Sequence, residues 1–394
     1  MDAEMSSPRP GVHGRMTGWE FGNPVKITFG RGCRRSLSAR IEGQSVLVVT
    51  TRRGRSQLRD DACLQALERD KNVVWADEVR ENPDIDHLQS MVAGLNGRHF
   101  DSVVAFGGGS VIDAAKVLNV CLSRECGGMT LHDLVKNPQR HAGAKPAPLY
   151  AVPTTSGTGS EVTPFATVWN DETRSKLSLS GPAVWPTEAF VDPCLTDSVP
   201  QEITISTGLD AINQAAESIW NKKASAITSL YATRALILAF EALPRLLEGK
   251  ACDTARDQMA EASLLAGLAI SQTRTALCHS ISYPITAHFK VPHGLACAFT
   301  MNAVLRLNLR AEDGRFAQLA KALTGSSELG GLIAMFEDLT NALQVRERVM
   351  RYVPGVQDLL QLEGKMATPG RFENNLADEI SVTDIIKSSW DRAS

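Results

Sequence analysis

The 394-residue sequence predicts an amino-terminal α/β domain with a parallel sheet, followed by an all-helical domain. Between residues 45 and 152, short apolar runs rich in β-branched residues alternate with segments of helical periodicity, which is the pattern of parallel strands joined by crossover helices. After Pro193 the strand-like runs nearly vanish and long helical patterns follow. We therefore predict a disordered leader over residues 1–18, an α/β domain over 19–195 and a helical domain over 196–394.

Each predicted element rests on its local pattern. The strand SVLVVT is β-branched and ends at the polar stretch TRRGRSQ, and the other strands are similar short apolar runs. The helices repeat apolar residues at spacings of three and four. The predicted extended segments are 19–29, 45–50, 72–76, 102–106 and 148–152. The predicted helices are 58–71, 85–96, 111–122, 206–221, 225–248, 252–269, 275–286, 316–322 and 331–343.

Composition and charge argue against several classes of protein. The 41 basic and 44 acidic side chains leave a net charge of −3, so we expect no field that would gather nucleic acid or an anionic membrane. The eight cysteines include no C-x-x-C pair, which argues against a disulfide framework and favours reduced thiols. The sequence shows no signal-peptide pattern and no apolar run of about 18 residues. We expect a cytoplasmic protein, and a homodimer because so many helices would expose apolar faces.

A glycine-rich turn follows a predicted strand in the stretch SVVAFGGGSVIDAAK. Gly107, Gly108 and Gly109 would let a pyrophosphate approach the backbone at the start of a helix, where free N–H groups favour anions. We predict that the helix begins at Ser110, with Asp113 as a capping-box-like partner, and that this turn binds a dinucleotide cofactor. Because the G-x-G-x-x-G spacing is lacking, a tight turn without a ligand stays an alternative.

The next predicted strand is followed by PTTSGTGSEVT, a loop rich in hydroxyl groups and glycine. Hydroxyl and amide donors on such a loop suit phosphates, a ribose or a nicotinamide carboxamide. The candidate cofactor-binding residues are Thr154, Thr155, Thr158 and Ser160, and the alternative is a polar surface loop.

Thr51 and Arg52 directly follow the first central strand, and Arg53 comes next. An acidic side chain at such a strand end accepts from the ribose 2′-hydroxyl of NADH, whereas arginine suits the 2′-phosphate of NADPH. No acid follows this strand, so NADPH is favoured, although NADH stays possible. The alternative is that the two arginines are simply solvated charges.

Three of the eight histidines fall within RTALCHSISYPITAHFKVPHG. His279 lies in an apolar helical run, where a bare imidazole needs a partner, and His293 lies in a Pro-His-Gly bend that can aim its ring inward. Asp210 and Gln214 stand four residues apart on one face of a predicted helix. A carboxylate with two imidazoles suits Fe(II) or Zn(II), and these ligand types do not decide between the two metals.

Taken together, GGGSVIDAAK, PTTSGTGSEVT, the GLDA helix and the paired histidines ending in PHG resemble the iron-containing (group III) alcohol dehydrogenases. The resemblance covers roughly residues 19–310, and the last eighty residues add little to it. It implies a dinucleotide-binding α/β domain, a helical domain that carries a divalent metal, and hydride transfer in the cleft between them.

Two positions depart from what the resemblance implies. The family usually has histidine where this chain has Gln214, so either the Gln214 amide oxygen coordinates the metal or the metal is held by three protein groups and water. Many relatives have a second histidine where this chain has Tyr283. Tyr283 could donate a proton to the nascent alkoxide, or it could simply pack within its helix.

The phrases STGLDAINQAAESIWN, LLAGLAISQTRTALCHSISYP and VPHGLACAFT are similar to the phosphonoacetaldehyde reductase branch of that family. This likeness implies reduction of phosphonoacetaldehyde to 2-hydroxyethylphosphonate in phosphonate or phosphinate antibiotic biosynthesis. Arg274 would then bind the phosphonate with its planar guanidinium, unless it pairs with a helix acid at the surface. The alternatives are another small aldehyde, sugar-phosphate chemistry of the dehydroquinate synthase type, and nucleotide binding without catalysis.

Overall fold

The computed structural model describes residues 18–57, 59–248 and 253–391, so the predicted leader lies outside the described residues except for Gly18. The described residues contain eight strands. They are β1 (Lys26–Phe29), β2 (Ser45–Val49), β3 (Asn72–Ala76), β4 (Ser102–Gly107), β5 (Leu149–Pro153), β6 (Phe165–Asn170), β7 (Ser175–Ser180) and β8 (Glu188–Val191). Six of them form a sheet in the order β1-β8-β5-β4-β2-β3, and β6 pairs with β7 in an antiparallel hairpin.

All neighbouring strands of the six-stranded sheet are parallel, so the carboxyl ends of β2, β4 and β5 lie side by side at one edge. Helices cover both faces, because alternate side chains of a strand point to opposite sides. On β2, Leu47 and Val49 pack on one face of the sheet, whereas Val46 and Val48 pack on the other. The helices of this half are α1 (Leu37–Arg40), α2 (Arg52–Gln57), α3 (Ala62–Asp70), α4 (Ile85–Leu95), α5 (Gly109–Cys121) and α6 (Leu131–Lys136).

The second half is helical, and its helices share one apolar core. They begin ten residues after the last strand, at Gln201. They are α7 (Gln201–Ile219), α8 (Ala226–Leu247), α9 (Asp253–Thr273), α10 (Leu277–Phe289), α11 (His293–Asn308), α12 (Arg315–Thr324), α13 (Leu329–Ala342), α14 (Val345–Met350), α15 (Val356–Leu360) and α16 (Val382–Trp390). The chain therefore has the predicted fold class, a parallel α/β domain followed by a helical one.

Several elements differ from the sequence prediction. The polar segment after β2 forms α2, and the following helix begins only at Ala62, because the Asp61 carboxylate caps its first amides. Helix α5 begins at Gly109 and not at Ser110. The prediction also missed the β6–β7 hairpin, β8, α11 and the three helices nearest the carboxyl terminus.

Two contacts between glycine and backbone bring elements unusually close. A Cβ added to Gly294 would lie 1.8 Å from the carbonyl oxygen of Ser206, so the start of α11 lies directly on α7. A Cβ added to Gly159, which has φ +60°, would lie 2.4 Å from the Cα of Gly267. The loop after β5 therefore lies directly on α9, and the two halves of the chain meet with no side chain between them at this point.

In the described part of the chain, one helix, α8, has the length and the apolar composition that would allow it to cross a membrane. It packs against α7 and α9 in the helical core, and Arg234 on its outer side pairs with Glu261 of α9. The core accounts for its apolar character.

The Gly294 contact predicts a large effect of a small substitution. Gly294→Ala should lower the free energy of unfolding by about 1–3 kcal/mol, because the new methyl group meets a backbone carbonyl that cannot rotate away. Gly330→Ala is the matched control, since Gly330 is also the second residue of a helix and has nothing within 4 Å of its Cβ position. Denaturant unfolding of both variants measures the difference, and equal stabilities would refute the contact.

Candidate metal centre and cofactor cleft

Asp210, His279 and His293 come together from three different helices, α7, α10 and α11. The Nε2 atom of His279 lies 3.2 Å from Oδ1 of Asp210, and Nε2 of His293 lies 4.0 Å from the same oxygen. Asp210 and His279 are almost completely buried, whereas the His293 side chain keeps a quarter of its surface exposed. Pro292 caps α11 and His293 is its first residue, so the predicted bend does aim this ring at the other two side chains.

Cys297 joins this group, and the sequence prediction missed it. Its Sγ atom lies 3.8 Å from Nε2 and 4.0 Å from Nδ1 of His293. One donor atom each from Asp210, His279, His293 and Cys297 lies within 4.8 Å of the others, and we call these four residues the donor cluster. The available signal was helical spacing, because Cys297 follows His293 by four residues and so shares its face of α11.

Glu217 orients His279 from behind. Its fully buried carboxylate lies 2.7 Å from Nδ1 of His279 and accepts the backbone amides of Ala276 and His279. With Nδ1 of His279 donating to the Glu217 carboxylate, Nε2 of the same ring faces Asp210. A proton on Nε2 makes the 3.2 Å contact a hydrogen bond, whereas a neutral His279 beside the Asp210 carboxylate fits a divalent metal.

Gln214 lies one turn after Asp210 on α7. Its Nε2 atom donates to the carbonyl oxygen of Thr158 at 3.3 Å, and its Oε1 atom is buried without a hydrogen-bond partner in the described part of the chain. A buried acceptor of this kind normally has a donor or a cation beside it. Gln214 is therefore a possible further ligand, and it also links the helical half to the loop after β5.

The electrostatics of the donor cluster favour positive charge. Burial lowers the pKa of His279, but Cys297 and Glu217 raise it well above its usual value. Burial raises the pKa of Asp210, yet its hydrogen bond with His279 and the charge of His293 lower it overall. Burial likewise opposes ionisation of Cys297, and the two histidines still lower the pKa of this thiol to about 7. Anionic Asp210 and Cys297 are the forms that bind metals.

Tyr283 lies beside the donor cluster. Its ring stacks on that of His293, with 5.9 Å between centroids and 17° between planes, and the Lys176 ammonium lies 4.0 Å from its ring centroid. Burial would raise the pKa of Tyr283, but the charges of Lys176 and Arg371, followed by those of the histidines, lower it to about 7. The phenol can therefore give up its proton readily.

Arg274 lies close to Tyr283 and Arg371. It adopts a left-handed backbone conformation, with φ 59°, and its pKa is lowered by burial and by the neighbouring charge of Arg371. The Nε atom of Arg371 is buried without a hydrogen-bond partner in the described residues. Within the described part of the chain, neither arginine forms an ion pair with a carboxylate, and nor does Lys176. We call these three residues the cation cluster, and the sequence prediction had found only Arg274.

The glycine turn and the hydroxyl-rich loop meet at the ends of β4 and β5. The amide of Thr154 donates to the carbonyl oxygen of Gly107 at 3.0 Å. A Cβ on Gly108 would lie 3.1 Å from the Thr155 hydroxyl, and one on Gly109 would lie 2.4 Å from the Thr158 methyl carbon. Apart from the buried Gly107, these residues are partly exposed, and they lie together at the start of α5.

Asp113 and Ser160 have other tasks than those predicted. Asp113 forms no capping box, since Gly108 is the N-cap of α5 and has no side chain. The Asp113 carboxylate instead accepts from the hydroxyl of Ser160 and the amide of Thr167. Ser160 is buried and also accepts from the Lys116 ammonium, so both side chains are occupied within the protein and hold the loop in place. Ser110, by contrast, is partly exposed at the start of α5, and its hydroxyl accepts the amide of Asn82.

The residues after β2 are less strongly basic than the sequence suggested. Arg52 forms a 2.7 Å ion pair with Glu78, which follows the neighbouring strand β3. Thr51 uses its hydroxyl to accept the amide of Gly54. Arg53 is exposed and has no carboxylate partner in the described residues, so it is the freer of the two cations.

Comparison with known proteins identifies the family. Residues 24–193 match the model of the iron-containing alcohol dehydrogenases, and residues 204–360 match the carboxyl-terminal model of the Fe-containing alcohol dehydrogenase family. The chain is 35% identical over 264 residues to 1-propanol dehydrogenase PduQ of Salmonella typhimurium, covering 66% of this chain and 67% of that protein. It is 36% identical over 228 residues to phosphonoacetaldehyde reductase of Streptomyces viridochromogenes, covering 57% of each chain.

Solved structures show the same likeness. Sulfoacetaldehyde reductase from Bifidobacterium kashiwanohense, in complex with NAD+, superposes with a TM-score of 0.82 at 28% identity, covering 95% of this chain and 98% of that chain. A 1,3-propanediol oxidoreductase has a TM-score of 0.82 at 26% identity, covering 95% of this chain and 99% of that chain. The chain belongs to the iron-containing alcohol dehydrogenase family, oxidoreductases that use a nicotinamide cofactor and a divalent metal.

Proposed function

We propose that this protein is an NADPH-linked reductase of small anionic aldehydes, with phosphonoacetaldehyde as its substrate and 2-hydroxyethylphosphonate as its product. The observation that carries the proposal is the cation cluster beside the donor cluster. Lys176, Arg274 and Arg371 surround one tyrosine, and none of them pairs with a carboxylate in the described part of the chain. Three partly or fully buried cations without a counter-ion predict an anionic ligand, and arginine suits the oxygen atoms of a phosphonate.

Sulfoacetaldehyde is a second candidate, because a sulfonate has the same charge chemistry at its oxygen atoms and the similar structure from Bifidobacterium kashiwanohense is a sulfoacetaldehyde reductase. Likeness to phosphonoacetaldehyde reductase supports the first candidate and a place in phosphonate natural-product biosynthesis. Likeness to 1-propanol dehydrogenase keeps an uncharged aldehyde as the alternative.

We assign Asp210, His279 and His293 as metal ligands, with Gln214 able to add its amide oxygen. When bound there, a divalent metal would polarise the substrate carbonyl and a nicotinamide cofactor would supply the hydride. Glu217 holds the His279 ring in the orientation that faces Asp210. The cation cluster holds the anionic end of the substrate, which fixes the direction in which its carbonyl carbon faces the cofactor.

We assign Tyr283 as the proton donor to the product oxygen. Its ring lies against His293 of the donor cluster, and the surrounding cations favour release of its proton. The alternative, a tyrosine that only packs, accounts less well for the three cations around it.

For the cofactor, we propose that the amides at Gly108, Gly109 and Ser110 bind the pyrophosphate and that Thr154, Thr155 and Thr158 bind the nicotinamide half. NADPH is favoured because Arg53 is an exposed cation at the end of β2 and no acidic residue occupies that end of the strand itself. The seven described cysteines are free thiols, which supports a reducing cytoplasmic location. The homodimer stays a prediction.

Arg274→Ala tests the substrate. We expect kcat/KM for phosphonoacetaldehyde to fall by about 10- to 150-fold, since a charge-assisted hydrogen bond is worth about 1.5–3 kcal/mol. The value for propanal should change little, because propanal has no anionic group. The control is Arg310→Ala, which removes an exposed arginine outside the cluster. Steady-state NADPH oxidation gives kcat/KM for the wild type and both variants. Equal kcat/KM values of the wild-type enzyme for propanal and phosphonoacetaldehyde would refute the proposal of an anionic substrate.

Tyr283→Phe tests the proton donor. We expect kcat to fall by about 100-fold or more with little change in KM, because the variant keeps the ring packing and loses only the hydroxyl. The solvent deuterium isotope effect on kcat should change as well. The control is Tyr352→Phe, because Tyr352 is an exposed tyrosine that belongs to neither the donor cluster nor the cation cluster. An unchanged kcat and isotope effect in Tyr283→Phe would show that the proton comes from elsewhere.

Arg53→Ala tests the choice of cofactor. The ratio of kcat/KM with NADPH to that with NADH should exceed one in the wild type and fall by about tenfold in the variant, through loss of a contact to the 2′-phosphate. Arg55→Ala is the matched control, because Arg55 is already paired with Asp77 and stacked on Trp75. A wild-type preference for NADH would contradict the assignment.

A further inference from the structure

We propose that the thiolate of Cys297 is a ligand of the divalent metal, so that the metal is bound by one carboxylate, two imidazoles and one sulfur. The inference rests on the proposed metal site but not on the proposed substrate. Its basis is the position of the Cys297 sulfur within the donor cluster.

The distances fit coordination of one small ion. Bonds of about 2.0–2.1 Å to nitrogen or oxygen and about 2.3 Å to sulfur place tetrahedral ligand atoms about 3.3–3.6 Å apart. The separation from His279 Nε2 to Asp210 Oδ1 is 3.2 Å, and that from Cys297 Sγ to His293 Nε2 is 3.8 Å. The 4.0 Å from His293 Nε2 to Asp210 Oδ1 is somewhat longer. Sub-ångström shifts of the side chains would bring all four atoms to ligand distances.

The fold leaves the Cys297 sulfur few other partners. The side chain is completely buried, and its neighbours in the donor cluster are two imidazoles and a carboxylate. The backbone contact between Gly294 and Ser206 holds the first turn of α11 against α7, so Cys297 has to face Asp210. A buried thiol used only for packing would be surrounded by apolar groups.

Cys278 shows the contrast. It too is completely buried, and it directly precedes His279, but one residue along a helix turns the side chain by about 100° and it does not belong to the donor cluster. Gln214 is the competing ligand. Its Nε2 atom donates to Thr158 and its Oε1 atom has no hydrogen-bond partner in the described residues, but a neutral amide oxygen is a harder and weaker donor than a thiolate.

A sulfur ligand has consequences for the metal. Asp210 and a Cys297 thiolate together carry two negative charges, which balance a divalent cation in a buried site. Thiolate is a soft ligand that favours zinc over metals preferring oxygen. We therefore expect the protein to retain Zn(II) more tightly than a Cys297→Ser variant, by at least about 10-fold.

X-ray absorption spectroscopy of the zinc-loaded full-length protein tests the proposal directly. We expect one sulfur at about 2.3 Å together with nitrogen and oxygen ligands in the wild type, and loss of that sulfur in Cys297→Ser. Cys278→Ser is the matched control and should keep the sulfur. Gln214→Ala should also keep it.

The cobalt-loaded wild type provides a second measurement, which does not depend on whether a variant folds. A thiolate-to-cobalt charge-transfer band in the near ultraviolet is expected, and it should persist in Gln214→Ala. Zinc bound by nitrogen and oxygen alone would overturn the Cys297 assignment and leave the proposed reductase standing if phosphonoacetaldehyde is still reduced. A wild-type protein that binds neither zinc nor cobalt would contradict both the Cys297 assignment and the proposed metal-dependent reductase.

Discussion

The buried hydrogen bond between Glu217 and His279 sets the direction in which the donor cluster faces. A carboxylate buried inside a protein needs several donors, and Glu217 obtains them from the His279 ring and from the amides of Ala276 and His279. All three donors belong to the start of α10. One side chain of α7 therefore fixes the position of a second helix and the orientation of its histidine ring, and Nε2 of that ring has to face Asp210.

The rest of the site depends on backbones that lie unusually close. Gly294 lets α11 lie on α7, which places its first turn, with one histidine and one cysteine, over Asp210. Gly159 lets the loop after β5 lie on α9, and the bond from the Gln214 side chain to Thr158 joins that loop to α7. The loop proposed to bind the cofactor and the helix that carries Asp210 are thus held together by one backbone contact and one side-chain hydrogen bond, and transfer between two bound groups needs such a fixed separation.

Site residues could be predicted from the sequence where their role depends on residues nearby in the chain. Asp210 was found from its helical spacing with Gln214, His279 from its place in an apolar helical run and His293 from its Pro-His-Gly bend. Cys297 has helical spacing with His293, but this signal was not used. Asp113 shows the limit of local reasoning. Serine followed three residues later by aspartate has the spacing of a capping box, yet the Asp113 carboxylate bonds to Ser160, 47 residues away. The β6–β7 hairpin was missed because its six-residue strands have mixed burial and so lack a continuous apolar run.

The cation cluster lay beyond any local pattern, since Lys176 comes from that hairpin and Arg371 from an irregular segment near the carboxyl terminus. Only the tertiary fold brings them to Arg274 and Tyr283. The charges of Lys176 and Arg371 lower the pKa of this tyrosine, and the charge of Lys176 also lowers the pKa of Asp210 in the donor cluster. A two-carbon aldehyde that pairs its anionic end with the cation cluster would direct its carbonyl group toward the donor cluster. An uncharged aldehyde of the same length would leave the cations unpaired and could bind either way round.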